Sequence, residues 1–340
     1  VLTHHWIRLR RPRVLLTLAV TASVVLTACS GLRSESDTAV VNSAATPRLT
    51  LDTTVKYGNL YKDGLLPVGD NKYVLDQARA GYVYVCPKYA HALTTAPPIG
   101  ANVPGPWFSA DRQWYDPSKK VHVEGHVHHE DAEFSETVGH SHIITTNDIP
   151  RFHTTGVFPI SPTDVAFSYD QNPNEIDEQN LTYVLPVAPS YGEPQCVGHE
   201  VGVMLSGVVL YTALDATGRD AGAWEVQDDC DGHPELTSTY HYHTGSPCMP
   251  TASTTEVLGY ALDGHPITGA KIDAENVLTT RDLDECHGIT STVNVNGQSV
   301  EMYHYVLTAD FPYTVSCFRG RPIASPSVTG REHEPPPSPH

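Results

Sequence analysis

From residue 81 to residue 317 the chain reads mostly as short apolar runs of β-branched and aromatic residues, separated by polar turns. Gly81-Tyr82-Val83-Tyr84-Val85-Cys86, Thr182–Val187, Glu256–Leu262, Val293–Val295, Val300–Val306 and Tyr313–Phe318 each predict a strand. Val201–Leu214 is a longer apolar run interrupted by Gly207, and predicts either a bulged strand or two buried strands. Pro and Gly punctuate nearly every gap. Apolar spacing of the helical kind is missing, except that Leu75–Arg79 offers one helical turn. The pattern predicts a mainly β fold, a single disulfide-stapled β-rich domain with long ordered loops. It shows no clean boundary between about 80 and 320, and residues 51–80 read as a peripheral part.

The first residues carry a different pattern. Arg8, Arg10, Arg11 and Arg13 form a basic stretch, and Val14–Leu26 is an apolar run too short to span a bilayer. It ends in Leu26-Thr27-Ala28-Cys29, which resembles the bacterial lipobox, in which small residues precede a cysteine that becomes the lipidated N-terminus. The resemblance implies a signal peptide over 1–28 and a diacylated (palmitate-type) Cys29. Two acyl chains suffice for stable membrane attachment. An ordinary secretory signal, and a twin-arginine signal built on Arg10-Arg11, are the other readings of this segment. Residues 29–50, rich in Ser, Thr and Ala, read as a flexible tether, and residues 321–340, with Pro335-Pro336-Pro337, as a disordered tail. The remainder divides into an N-terminal β-rich part with a His-rich segment, 51–144, and a second part, 145–320.

Composition sharpens this picture. The net charge is −18; removal of residues 1–28 takes away four Arg and no acid, leaving −22. Nucleic acid is excluded as a partner, because a phosphate binder needs a positive footprint. With Cys29 as an anchor, the seven cysteines become an even six: Cys86, Cys196, Cys230, Cys248, Cys286 and Cys317. In an exported protein these are disulfide candidates, with 15 possible pairings and no CxxC spacing to suggest a thiolate metal site. The 19 histidines are the unusual count.

Two histidine-bearing blocks repeat. The first runs Asp229-Cys230-Asp231-Gly232-His233, Tyr240-His241-Tyr242-His243, Pro247-Cys248; the second runs Glu285-Cys286-His287-Gly288-Ile289, Tyr303-His304-Tyr305-Val306, Pro312 and Cys317. Between them lies Leu258-Gly259-Tyr260-Ala261-Leu262-Asp263-Gly264-His265-Pro266-Ile267. These residues resemble the bacterial YHYH-domain family, named for the tetrapeptide at Tyr240–His243. Upstream, Asn147-Asp148-Ile149-Pro150, His153, Gly156, Phe158-Pro159 and Asn172-Pro173-Asn174 also resemble it, so the likeness covers about 145–320. It implies a metal site and little mechanism. The second block departs from the family pattern at Ile289 and Val306, where histidines are expected, and His265 stands where an aromatic residue is more usual.

On a strand, His241 and His243 point to one face and Tyr240 and Tyr242 to the other. With His233 from the loop and His304 from the matching strand, three or four imidazoles can surround one metal, most suitably Zn or Cu. Structural histidines hydrogen-bonded to buried carboxylates such as Asp229 or Asp231 are the alternative. A second cluster holds His122, His126, His128, His129, His140 and His142. If its strands pair as a hairpin, His126/His128 and His140/His142 converge; otherwise it is a solvated His-rich loop. His126-Val127-His128 with Glu133 and Gly139 partly resembles the first cupin motif, but the second cupin motif is missing. There is no GxSxG, P-loop, GxGxxG or HExxH.

The sequence therefore predicts a lipoprotein at a bacterial surface or facing the periplasm, held to the membrane by its anchor, that binds a transition metal as a binding or scavenging module. A metal-dependent hydrolase or oxidoreductase, with Asp229, Asp231 or Glu235 as base, is the first alternative. An interaction module with structural histidines is the second. No protein partner is specified.

Overall fold

Strands form over most of the apolar runs, and two architectures result from how their faces are covered. The computed structural model describes residues 64–95, 103–249, 253–274 and 276–326. The predicted signal peptide 1–28, Cys29 and the tether 29–50 lie outside the described residues, as does most of the predicted tail. Two short ribbons come first: β1 (Leu66–Pro67) with β4 (Trp114–Tyr115), and β2 (Tyr73–Val74) with β3 (Val83–Tyr84). Helix α1 (Pro87–Thr95) follows β3. Strands β5 (Phe134–Val138), β6 (His142–Thr146) and β7 (Leu181–Leu185) make an antiparallel sheet in the order 5-6-7. In β7 buried and exposed positions alternate: Leu181, Tyr183 and Leu185 enter the core, while Thr182 and Val184 face outward. That is the pattern of a sheet with one wet face.

The main sheet has eight strands: β8 (Glu200–Met204), β9 (Val209–Tyr211), β10 (Gly232–Pro234), β11 (Tyr240–Tyr242), β12 (Val257–Ala261), β13 (Pro266–Gly269), β14 (Gly288–Val295) and β15 (Gln298–Leu307). Their spatial order is 10-11-9-8-12-13-15-14. The sheet is two copies of one four-stranded plan, joined at the antiparallel β8–β12 pair. Each copy is a hairpin (β8–β9, β12–β13), a third strand parallel to it (β11 on β9, β15 on β13), and an antiparallel edge strand (β10, β14). The two hairpins turn at Gly207, φ +92°, and Gly264, φ +87°, a region open to glycine without strain. Gly207 thus separates two strands rather than marking a bulge. Central strands are buried at nearly every position, which is why 201–211 reads as a long apolar run with only the turn at Ser206-Gly207 inside it.

The repeated motif is a local device. Asp228 Oδ1 accepts from the backbone of Cys230 (2.9 Å) and Gly232 (3.2 Å) and from the Tyr240 hydroxyl (3.0 Å). Asp284 Oδ1 does the same with Cys286 (2.9 Å), Gly288 (3.0 Å) and Tyr303 (3.0 Å). A Cβ on Gly232 or Gly288 would lie 2.2 Å from the tyrosine oxygen that crosses it. The working acids are therefore Asp228 and Asp284, one residue before the Asp229 and Glu285 that the sequence suggested. Cysteines pair as Cys86–Cys196, Cys230–Cys248 and Cys286–Cys317, so each copy of the motif is closed by its own bridge.

Several expectations are corrected. Leu75–Arg79 contains bends, not a helical turn, and α1 was not foreseen. Tyr313–Phe318 forms no strand; its buried side chains and the Cys286–Cys317 bridge hold it against the second copy, with one bridge to Gln195. The division at 144/145 falls inside β6, which pairs on both sides. Residues 321–326 are placed, Ile323 N donating to Leu262 O (2.9 Å), although they open the segment read as a tail. Among the described residues no helix is long and apolar enough to cross a membrane.

Candidate metal centre

His233 on β10 stands opposite His241 on β11, and His243 follows at the end of β11. The tetrapeptide alternates as expected. Tyr240 and Tyr242 turn into the core, their hydroxyls bonded to Asp228 and Ser206, and the two histidines face the other side. One ring nitrogen from each of His233, His241 and His243 lies within 4.8 Å of the others, and all three residues are buried.

The ring nitrogens are oriented by carbonyls. His241 Nδ1 donates to Thr239 O (3.1 Å) and His243 Nδ1 to Thr212 O. A carbonyl can only accept, so each Nδ1 carries the proton and each Nε2 presents a lone pair. Those two Nε2 atoms are 3.1 Å apart. Glu225 Oε2 approaches His243 Nε2 at 3.1 Å and His233 Nε2 at 3.3 Å. Tyr211 stacks on His241, ring centroids 4.1 Å apart. Glu225 Oε2 and both ring nitrogens of His233 are buried without a hydrogen-bond partner. The Nε2 lone pairs of His241 and His243 thus converge beside a carboxylate, and within the cluster His233 is the ring whose proton can face it.

The titration behaviour follows from this crowding. Burial, with the charges of His233 and His243, pushes the His241 imidazole well below the ordinary range. Burial would also lower His233, but the Glu225 carboxylate outweighs it and raises that group. Burial would raise Glu225, yet His233 and His243 hold it well below the usual carboxylate range.

Glu225 is the site residue that the sequence did not reveal. It caps the C-terminus of a single turn, α2 (Ala221–Trp224), whose N-cap Asp220 accepts from Ala223 N (3.2 Å). An apolar Ala-Gly-Ala-Trp turn gives no hint of a carboxylate role, and Glu225 lies eight positions before His233 in the chain. Above the histidines is a cavity of about 300 Å³, open to the surface, with Asp170, Asn172, Asn174, Tyr211 and Glu235 in its wall. Asn172 and Asn174, which the family resemblance picked out, therefore line this site together with Asp170.

The other predicted ligands go elsewhere. His304 is fully buried, with Nδ1 2.9 Å from Thr268 Oγ1 and Nε2 2.7 Å from Ser291 Oγ. His265 faces the carbonyls of Tyr303 and Ser190, both at 3.1 Å. The two upstream His-x-His pairs are not brought together. β5 pairs with β6, but His126 and His128 flank Val127, which bridges to Thr155 instead, and both are exposed. His140 is exposed in the β5–β6 turn, and His142 Nε2 meets Glu136 Oε1 at 2.8 Å. Of the suggested bases, Glu235 lines the cavity, while Asp231 sits beside Lys120 in a different one.

Comparison with known proteins agrees with the tetrapeptide reading. The family model described as YHYH protein matches residues 182–280, which include all but the first residue of β7, the whole first copy and the β12–β13 hairpin, and stop short of Asp284. The match is narrower than the 145–320 read from the sequence. Neither the curated proteins nor the solved structures gave a match.

Proposed function

We propose that this protein binds a transition metal ion, Zn or Cu, through His233, His241 and His243, with Glu225 as the neighbouring carboxylate. The observation that carries the reading is the convergence of two bare Nε2 lone pairs, 3.1 Å apart, on a carboxylate oxygen 3.1 Å from one of them. Buried acceptors facing acceptors are costly unless a cation lies between them. A tetrahedral ion with bonds of about 2.0–2.1 Å sets its ligand atoms roughly 3.3 Å apart, close to these separations. The Thr239 and Thr212 carbonyls supply the outer contacts that commonly orient metal-binding imidazoles.

A second reading is favoured by the open cavity. A pure scavenging site gains from being closed, whereas a site of three histidines beneath 300 Å³ of open space leaves a position for a small molecule. A metal-dependent hydrolase or oxidoreductase would use that position, where a bound metal polarises a substrate or activates water. Glu225 would then hold or move a proton at the cavity floor. On the lipobox reading the protein works at a bacterial membrane surface, anchored through Cys29; Cys29→Ser should then release it to the soluble fraction, and retention in the membrane would reject the anchor.

Elemental analysis of the purified protein should find near-stoichiometric metal, and chelation should lower the melting temperature, because the binding free energy is also folding free energy. His241→Ala with His243→Ala should abolish both effects. An unchanged melting temperature with and without chelator would reject the reading.

A further inference from the structure

The only other cluster of metal-ligating atoms among the described residues involves a disulfide. A ring nitrogen of His153 and the sulfurs of Cys230 and Cys248 lie within 4.8 Å of one another. Cys230 is buried, but Cys248 and His153 are half-exposed. The other copy has no such cluster, and its bridge is sealed: Cys286 and Cys317 are both at 0 % exposure. Of the two bridges that close the copies, the accessible one is therefore on the copy that carries the three histidines; the third bridge, Cys86–Cys196, is also partly exposed but has no histidine cluster beside it among the described residues. It also brackets them, since His233, His241 and His243 all fall between Cys230 and Cys248.

His153 is placed to serve as a ligand. Its Nδ1 faces the Thr154 carbonyl (2.8 Å), which puts the proton there and leaves Nε2 with a lone pair. Nε2 now meets the hydroxyl of Tyr242, at 2.5 Å. That hydroxyl has a second acceptor, Ser206 Oγ at 3.3 Å, to which it can turn if Nε2 is taken. Tyr242 lies between His241 and His243 in the chain, so it joins the two clusters.

We propose that the Cys230–Cys248 bridge is reducible, and that the resulting thiolates form with His153 a second, sulfur-rich metal site. The inference does not depend on the three-histidine reading. The step needs a dithiol reductant. One of its thiolates attacks Cys230 or Cys248, the bridge breaks, and the displaced thiolate takes a proton from water. The reductant's second thiol then closes its own disulfide and releases the other cysteine. Metal binding displaces the two thiol protons. A 5.3 Å Cα separation lets the sulfurs part to the roughly 3.8 Å set by about 2.3 Å metal–sulfur bonds. Thiolate donors suit Zn and Cu(I), while the imidazole site also accepts Cu(II). The oxidation state of the bridge would thus decide which metal chemistry this half can hold.

The test uses the full chain, reduced anaerobically with a dithiol, with thiols mapped by alkylation and mass spectrometry, and Co²⁺ as probe. Cys230 and Cys248 should be labelled before Cys286 and Cys317 while the circular dichroism of the fold persists. Co²⁺ should then produce a thiolate charge-transfer band that the oxidised protein lacks. His153→Ala should weaken binding to that site at least tenfold without changing the thiol count. His241→Ala with His243→Ala should leave the band intact, which separates this proposal from the three-histidine site. Failure to release these two thiols from the folded protein, a missing band, or a band indifferent to His153→Ala would each overturn it.

Discussion

In the first copy of the sheet plan His233 stands opposite His241, and His243 follows; in the second copy the same register positions hold Ile289, His304 and Val306. The scaffolds match closely. Both have an Asp that gathers two backbone amides and a tyrosine hydroxyl, a glycine under that tyrosine, a hairpin turning at a left-handed glycine, and a closing disulfide. What differs is the filling. Around Ile289 and Val306 an apolar cluster forms with Ala270, Leu278 and Leu283. His304, the one retained imidazole, has both nitrogens engaged by Thr268 and Ser291. The position of Thr268 in β13 corresponds to Tyr211 in β9, which instead stacks on His241. One plan therefore supports a polar site with unpartnered atoms or a dry core, depending on a few side chains. The difference teaches that the Asp-x-Cys-x-Gly and Tyr-x-Tyr elements build the frame, and that the histidines are a separate choice made on it.

The strongest way to break the comparison is to remove one ligand on each side. His233→Ala should reduce metal affinity by two orders of magnitude or more, read by calorimetry, whereas His304→Ala should leave affinity unchanged. Equal losses would mean that the halves are not functionally distinct. In the reverse sense, Ile289→Ala should cost about 2–5 kcal/mol of folding stability in urea titration, from lost burial and the cavity left behind, with metal content unaltered.

Glu200 offers a third test, because its counterpart in the second copy is the apolar Val257. Burial raises the Glu200 carboxyl to about 7, although the Tyr183 hydroxyl donates to it at 2.6 Å and opposes the shift. The folded state then favours the protonated form. Its contribution is complete below the unfolded value of 4.5 and is lost as pH rises through about 7. The loss is on the order of 3 kcal/mol, taking about 1.4 kcal/mol for each pH unit. Glu200→Gln should flatten stability between these two pH values; an unchanged profile would show that Glu200 is not the group responsible. The smallest expected effect is at Glu225. Glu225→Gln keeps the shape and removes the charge that faces the Nε2 atoms, and should weaken metal binding about 10–100-fold, at about 1.4 kcal/mol for each factor of ten. A neutral outcome would make Glu225 a bystander and the two copies more alike.

Much of the frame was legible in the chain. Period-two alternation at Tyr240–His243 assigned the two faces of β11 correctly, since strand geometry leaves no other choice. The repeat of Cys-x-Gly and Tyr-His-Tyr pointed to two related units, and the disulfide cysteines were all identified. The upstream histidines misled because a His-x-His pair fixes only its own face. Whether two pairs meet depends on strand pairing, and Val127 pairs with Thr155, not with β6.

By itself the sequence determined a mainly β fold, the duplicated motif and three of the four residues at the centre. These are properties of neighbours in the chain, set by side-chain direction and turn chemistry. Only the tertiary structure decided that His304 is satisfied by two hydroxyls, that cysteines pair within each copy, and that Glu225 closes the cluster. Those outcomes depend on which atoms remain unpaired once distant segments are packed together, and spacing along the chain carries no record of that.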